Sequence, residues 1–183
     1  LKRRSPVRRA PTHAARAGTP LAQIQLLLLD VDGVLTDGRL YFSARGEAQK
    51  AFHVRDGHGI KLLMRSGVTV AVASGRRSAA VTARMRELAV PHVVQGCGDK
   101  VGALLDITRR LGIDPLRCAC IVDDTPDLPL MAAVGFAAAV ADAHPLVLSA
   151  AHWVSAAPGG RGAVRELCDE LLRARARGRL ATR

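Results

Sequence analysis

The stretch Leu26-Leu27-Leu28-Leu29-Asp30-Val31-Asp32-Gly33-Val34-Leu35-Thr36 decides the fold. From Ile24 to Leu29 the chain is almost wholly apolar, and it runs straight into an acid. A short apolar run that stops at a polar turn is the pattern of a parallel strand buried on both faces. Asp30 and Asp32 then set two carboxylates on one turn at the carboxyl end of that strand. Gly33 allows the tight backbone path that such a turn needs.

Downstream of this anchor, strand-like and helix-like segments alternate. The pattern predicts a β-hairpin from segments 40–42 and 51–54, flanking Ser43-Ala44-Arg45-Gly46-Glu47. A helix is expected over 57–65, stopped by Gly67, then a strand over 68–73 and a helix over 78–88. There follow a strand over 92–94, a helix over 100–111 stopped by Gly112, and a strand over 118–122 that ends on Asp123. A short helix over 128–134, a strand over 136–140 and a helix over 163–175 complete the set. Repeated β-α-β units imply one parallel sheet with helices on both faces, an αβα sandwich. The expected boundaries are a domain over 24–172 between basic tails at 1–23 and 173–183.

Composition agrees with that class. Of 183 residues, 49% are hydrophobic and only 3% aromatic, so the core must be built from Leu, Val, Ile and Ala. The net charge of +11 invites a nucleic-acid reading, but the excess sits at the ends. Residues 1–23 and 171–183 hold 11 basic residues and no acid, whereas the middle balances 16 basic against 16 acidic. Solvated tails explain such a distribution better than a binding face, so no nucleic-acid partner is expected. The acid-free start is compatible with a transit peptide or a plain tail. The apolar run at 26–29 is too short for a signal core, and no run approaches the ~20 residues of a membrane span. Cys97, Cys118, Cys120 and Cys168 lack paired metal spacing, which suggests reduced thiols and a cytoplasmic setting.

Ligands of such sheets gather at the carboxyl ends of the strands. Asp30 and Asp32, Ser74, Lys100, and Asp123, Asp124 and Asp127 all map to that rim. Taken singly, each has an ordinary explanation. Ser74-Gly75-Arg76 is a turn before a helix, Lys100 a surface lysine, and the Asp123 group a helix cap. Together they form a chemical set. One carboxylate can attack phosphorus while the other gives a proton to the leaving alcohol. A cation must offset the repulsion between phosphate and nucleophile, and Asp oxygens suit Mg²⁺. Lys100 adds a fixed positive charge, and Ser74 can donate to phosphoryl oxygens.

These elements resemble motifs I to IV of the haloacid dehalogenase superfamily: Asp30 to Thr36, Ser74, Lys100, and Asp123-Asp124 with Asp127. The likeness sharpens over Lys50-Ala51-Phe52-His53-Val54-Arg55-Asp56-Gly57-His58-Gly59-Ile60, Ala139-Val140-Ala141-Asp142-Ala143-His144-Pro145 and Gly159-Gly160-Arg161-Gly162-Ala163-Val164-Arg165-Glu166. Those stretches resemble the 3-deoxy-D-manno-octulosonate 8-phosphate phosphatase family of lipopolysaccharide sugar synthesis. The resemblance implies a Rossmann-like fold without a cap domain, with the hairpin used in assembling a homotetramer. It implies that Asp30 is the nucleophile and that Asp32 is the general acid and then the base. Mg²⁺ would be held by Asp30, the Asp32 carbonyl and Asp123, with Asp124 and Asp127 in support. Lys50 and Arg55 would approach a neighbouring subunit's substrate.

A sugar-acid phosphate carries two anionic ends, so Arg55, Arg76 and Arg161 are candidates for its carboxylate. The glycine-rich segment around Arg161 lacks the Lys-Ser/Thr of a P-loop and reads better as a mobile segment closing over the site. One departure from the family pattern is Val122, where a glycine usually precedes the Asp pair. Two other readings stay open at this point: a phosphatase of nine-carbon sialic-type sugar acids, and a non-catalytic tetrameric scaffold.

Overall fold

Four consecutive leucines form β1 (Leu26–Leu29), and all four are buried. Successive side chains of a strand point to opposite faces, so uninterrupted burial requires cover on both sides. The structure is a computed structural model that describes residues 18–44 and 46–181. The same signature recurs in β4 (Thr69–Ser74), β6 (Cys118–Val122) and β7 (Phe136–Ala139), where all residues except Thr69 are buried. With β5 (His92–Gln95) and β8 (Trp153–Val154) they make a six-stranded parallel sheet in the order β5-β4-β1-β6-β7-β8. β1 lies centrally, with Leu29 opposite Val72 on one side and Ile121 on the other.

The helices are α1 (Val54–Arg65), α2 (Ala79–Leu88), α3 (Lys100–Leu111), α4 (Leu128–Ala133), α5 (Pro145–Ala150) and α6 (Ala163–Ala181). α1 packs along α6, and glycine makes the close approach possible. A Cβ on Gly59 would lie 2.9 Å from Arg165 Cδ and 3.2 Å from Cys168 Cβ. Asp56, 2% exposed in the first turn of α1, accepts the Arg165 N–H at 2.8 Å. One helix thus caps the other's N-terminus, which explains the density of Asp and Gly in residues 56–59.

The hairpin is formed by β2 (Tyr41–Ser43) and β3 (Gly46–Gln49), paired only with each other. Its second strand comes earlier than the expected 51–54. Gly46 has φ +103°, which turns the chain there, and Val54 instead opens α1 behind His53. Among the described residues, only the hairpin lies between β1 and α1, with no separate cap domain. Two elements went unforeseen: α5, with Pro145 at its start and His144 accepting the Leu146 N–H, and the two-residue β8.

At the far end, α6 runs past the expected tail boundary at 172 to Ala181. Arg175 is the reason on this face: its guanidinium donates to the carbonyls of Ile24 and Ser66 at 3.2 and 3.1 Å. A 3₁₀ turn at Leu21–Gln23, inside the expected N-terminal tail, packs on the same helix. The tail residues 1–17, 182 and 183 lie outside the described residues. No described helix is long and apolar enough to cross a membrane.

Candidate active site

The carboxyl ends of β1, β4 and β6 meet at one cavity of about 430 Å³. Asp30, Asp32, Ser74, Arg76, Lys100, Asp123, Asp124 and Asp127 all line it, together with Cys97, Gly98 and Pro126. Each arrives by a local rule. Asp30 follows the last leucine of β1, Ser74 ends β4, and Asp123 follows Val122 at the end of β6. Lys100 is the first residue of α3, held there by Asp99, whose side chain accepts the Gly102 N–H.

The centre is an ionic cluster. The Lys100 ammonium lies 2.9 Å from Asp30 Oδ1 and 2.8 Å from Asp127 Oδ2. Burial pushes the Asp30 carboxyl up to about 7; the Asp127 charge adds to this, and Lys100 opposes it. Burial likewise raises Asp123 to about 6, helped by Asp127 and Asp124 and opposed by Lys100. Burial disfavours the charge on Lys100, but Asp30 and Asp127 outweigh it and its pKa is raised.

Asp30, Asp123 and Asp127 each offer an oxygen within 4.8 Å of the others. Asp127 is 2% exposed, and its Oδ1 is buried without a hydrogen-bond partner. An all-oxygen, acid-rich set with an unspent buried oxygen fits a small hard dication. Asp32 is outside this trio. Its carboxylate is ion-paired with Lys50, whose side chain is almost fully buried. Asp124 turns to its own loop and accepts the Thr125 N–H at 2.7 Å.

Gly33 shows how closely the parts fit. It has φ +81°, and a Cβ there would fall 2.0 Å from Asp123 Oδ2. Any side chain at this position would drive the Asp30 turn away from the β6 loop. Val122, the departure noted above, is wholly buried and simply continues β6, pairing with Ala139. Its carbonyl accepts the Val140 N–H at 3.2 Å, and the Asp123 carbonyl accepts the His144 N–H at 2.8 Å.

Not every candidate joins the cavity. Arg76 lines it, whereas Arg55 stands exposed on α1. Arg161 borders a second cavity with Asp37, Ala51, Phe52, His53 and Gly160. Lys50 contacts Asp32 of its own chain, where the resemblance had set it toward a neighbour. The Gly159 segment does not line the Asp30 cavity at all. It packs on the Gly33–Asp37 loop, where its small residues allow close main-chain contact. Asp56, Asp142 and Glu166, which accept backbone N–H groups around the site, were passed over as single residues. Asp56 beside Gly57 and Glu166 in the first turn of α6 carry a local hint of a capping role, but the partners of all three are set by the fold.

A parallel sheet that delivers an Asp pair, a hydroxyl, a lysine and a second acidic group to one rim defines a phosphatase of the haloacid dehalogenase-like class. The haloacid dehalogenase-like hydrolase family matches residues 92–166. The chain is 48% identical over 151 residues to the 3-deoxy-D-manno-octulosonate 8-phosphate phosphatase of Yersinia pestis, covering 82% of this chain and 81% of that one. The crystal structure of the Yersinia pestis phosphatase superposes with a TM-score of 0.84 at 47% identity, over 86% of this chain and 85% of that one. The Moraxella catarrhalis phosphatase, crystallised with a magnesium ion, a phosphate ion and a KDO molecule, gives 0.83 at 38% identity, over 89% and 95%. The chain belongs to the 3-deoxy-D-manno-octulosonate 8-phosphate phosphatase family.

Proposed function

We propose that this chain hydrolyses 3-deoxy-D-manno-octulosonate 8-phosphate to the free sugar acid and phosphate, for lipopolysaccharide precursors. The observation that carries the reading is the Asp30–Lys100–Asp127 cluster at the base of an open cavity, with Asp123 beside it. Asp30 attacks phosphorus to give an aspartyl-phosphate, and the bond from phosphorus to the sugar oxygen breaks. Asp32 gives its proton to that oxygen, then takes one from the water that cleaves the acyl phosphate. Lys100 holds Asp30 in line and neutralises phosphoryl charge, while Ser74 donates to a phosphoryl oxygen. Asp30, the Asp32 carbonyl and Asp123 would hold Mg²⁺, with Asp124 and Asp127 behind them. When bound, that ion offsets the repulsion between the phosphate and the Asp30 carboxylate.

Arg76, on the cavity rim, is the cation of this chain placed to meet the sugar carboxylate. Arg55 and Arg161 lie outside the cavity, so their part in binding holds across a subunit interface. Exposed Leu40, Tyr41, Phe42 and Val54 on and beside the hairpin support assembly into a homotetramer. A cytoplasmic setting belongs to the same reading, since all four thiols are free and three are buried.

The test is phosphate release from a panel of phosphorylated sugars, eight- and nine-carbon sugar acids included, with and without Mg²⁺. Activity is expected on the eight-carbon substrate, only with Mg²⁺, and none in Asp30→Asn. Activity retained by Asp30→Asn would remove the nucleophile, and a preference for nine-carbon substrates would redirect the substrate.

A further inference from the structure

Beside the Asp32–Gly33 turn, residues 156–162 form a loop fastened to the first turn of α6. Glu166, in the first turn of α6, reaches back so that its Oε2 accepts the N–H groups of Ala156 and Ala157 at 2.7 and 3.4 Å. The buried Asp56 carboxylate fixes the same turn through the Arg165 N–H. Between these fastenings the chain presses Gly159 and Gly160 against the loop that carries Asp32.

The contact is main chain on main chain. A Cβ on Gly159 would fall 1.7 Å from the Gly33 carbonyl oxygen and 2.5 Å from its carbon. One on Gly160, which has φ +65°, would fall 2.4 Å from the Asp37 nitrogen. The Gly160 N–H donates to the Val34 carbonyl at 2.9 Å, and the Gly159 N–H to Asp142 Oδ1 at 2.9 Å. Gly33 also abuts the Asp123 carboxylate. Backbone atoms cannot swing aside as a long side chain can, so the position of the glycine pair is passed directly to the Asp32-Gly33 turn.

We propose that Gly159 and Gly160 are positioning residues for the Asp30–Asp32 turn, and that Glu166 acts through them by closing the loop that holds them. This rests on the hydrolytic reading for its kinetic consequence but not for its structural one. A misplacement near 1 Å at a reacting group costs up to about 10²-fold in rate. Displacement of the turn therefore lowers kcat while the rim groups that bind the sugar stay in place and KM changes little.

Gly159→Ala, Glu166→Ala and Glu166→Gln test it, with kcat and KM measured beside amide hydrogen exchange at Val34, Leu35 and Thr36. Gly159→Ala is expected to lower kcat on the order of tenfold to a hundredfold and to speed exchange at those amides. Glu166→Ala is expected to do the same more weakly. Glu166→Gln keeps an acceptor for the two N–H groups and restores both readouts. Unchanged kcat and exchange in Gly159→Ala would overturn the proposal. So would equal loss in Glu166→Gln and Glu166→Ala, because the carboxylate's charge would then be what matters. If Gly159→Ala does not fold, the Glu166 pair decides. The exchange measurement reads the brace even if the wild-type chain releases no phosphate from any sugar, so a failed function and a failed brace are distinguishable.

Discussion

The Lys100 ammonium is shared between Asp30 and Asp127, and two features of the site follow from that one contact. It holds two buried carboxylates close together, and it stands where phosphoryl charge develops. Lys100→Ala is predicted to lower kcat by about 10²–10³-fold, the usual cost of removing one preorganised electrostatic group. Steady-state kinetics at saturating Mg²⁺ checks this. Burial on folding pushes the Asp30 and Asp123 carboxyls up, to about 7 and about 6. A carboxyl whose pKa rises on folding stabilises the fold while protonated, and that contribution is lost as pH rises through the folded value. The metal-free protein is therefore predicted to melt at lower temperature at pH 8 than at pH 5.5. Mg²⁺, which competes with those protons, is predicted to raise the melting temperature more at pH 8. Thermal melts at both pH values, with Mg²⁺ and with chelator, measure the difference.

Elements deliver these residues, and most of the elements are visible in the chain. The Cys118–Val122 run ending on Asp123 and the Lys100–Leu111 helix have the bounds that periodicity predicts, and the strand ending on Asp30 starts at Leu26, two residues after the expected Ile24. Each is a continuous apolar run or a glycine-stopped helix, for which local chemistry and tertiary burial agree. Legibility fails where contacts decide. β8 is a strand only because Trp153 and Val154 lie alongside Ala138 and Ala139. The alternation in 51–54 gives way to a helix start once Asp56 is drawn under α6. The rim residues of the site could be read from strand ends, whereas the braces on backbone amides could not, because their partners are remote in sequence. Gly59 tests the packing at this scale. Gly59→Val is predicted to destabilise the fold by about 1–3 kcal/mol through overpacking against Arg165 and Cys168, measured by urea unfolding. Activity per folded molecule should be unchanged.

Across the whole molecule, the absence of a cap leaves the cavity open and the hairpin extended from the sheet. Phe42, in the middle of β2, is 64% exposed, an arrangement suited to burial between copies. On the proposal of a tetramer, Phe42→Asp is predicted to give smaller species than the wild-type chain in multi-angle light scattering, and to weaken substrate binding. Far from that surface, the thiols divide sharply. Cys118, Cys120 and Cys168 are buried, and burial pushes all three pKa values up, Cys118 to about 12. Cys97 alone is partly accessible, and it lies on the wall of the Asp30 cavity. The folded chain therefore carries a built-in chemical handle: one equivalent of a maleimide dye is predicted to attach at the wall of the cavity without engineering. Its emission would report occupancy, and the three silent thiols would take up label only when the core opens.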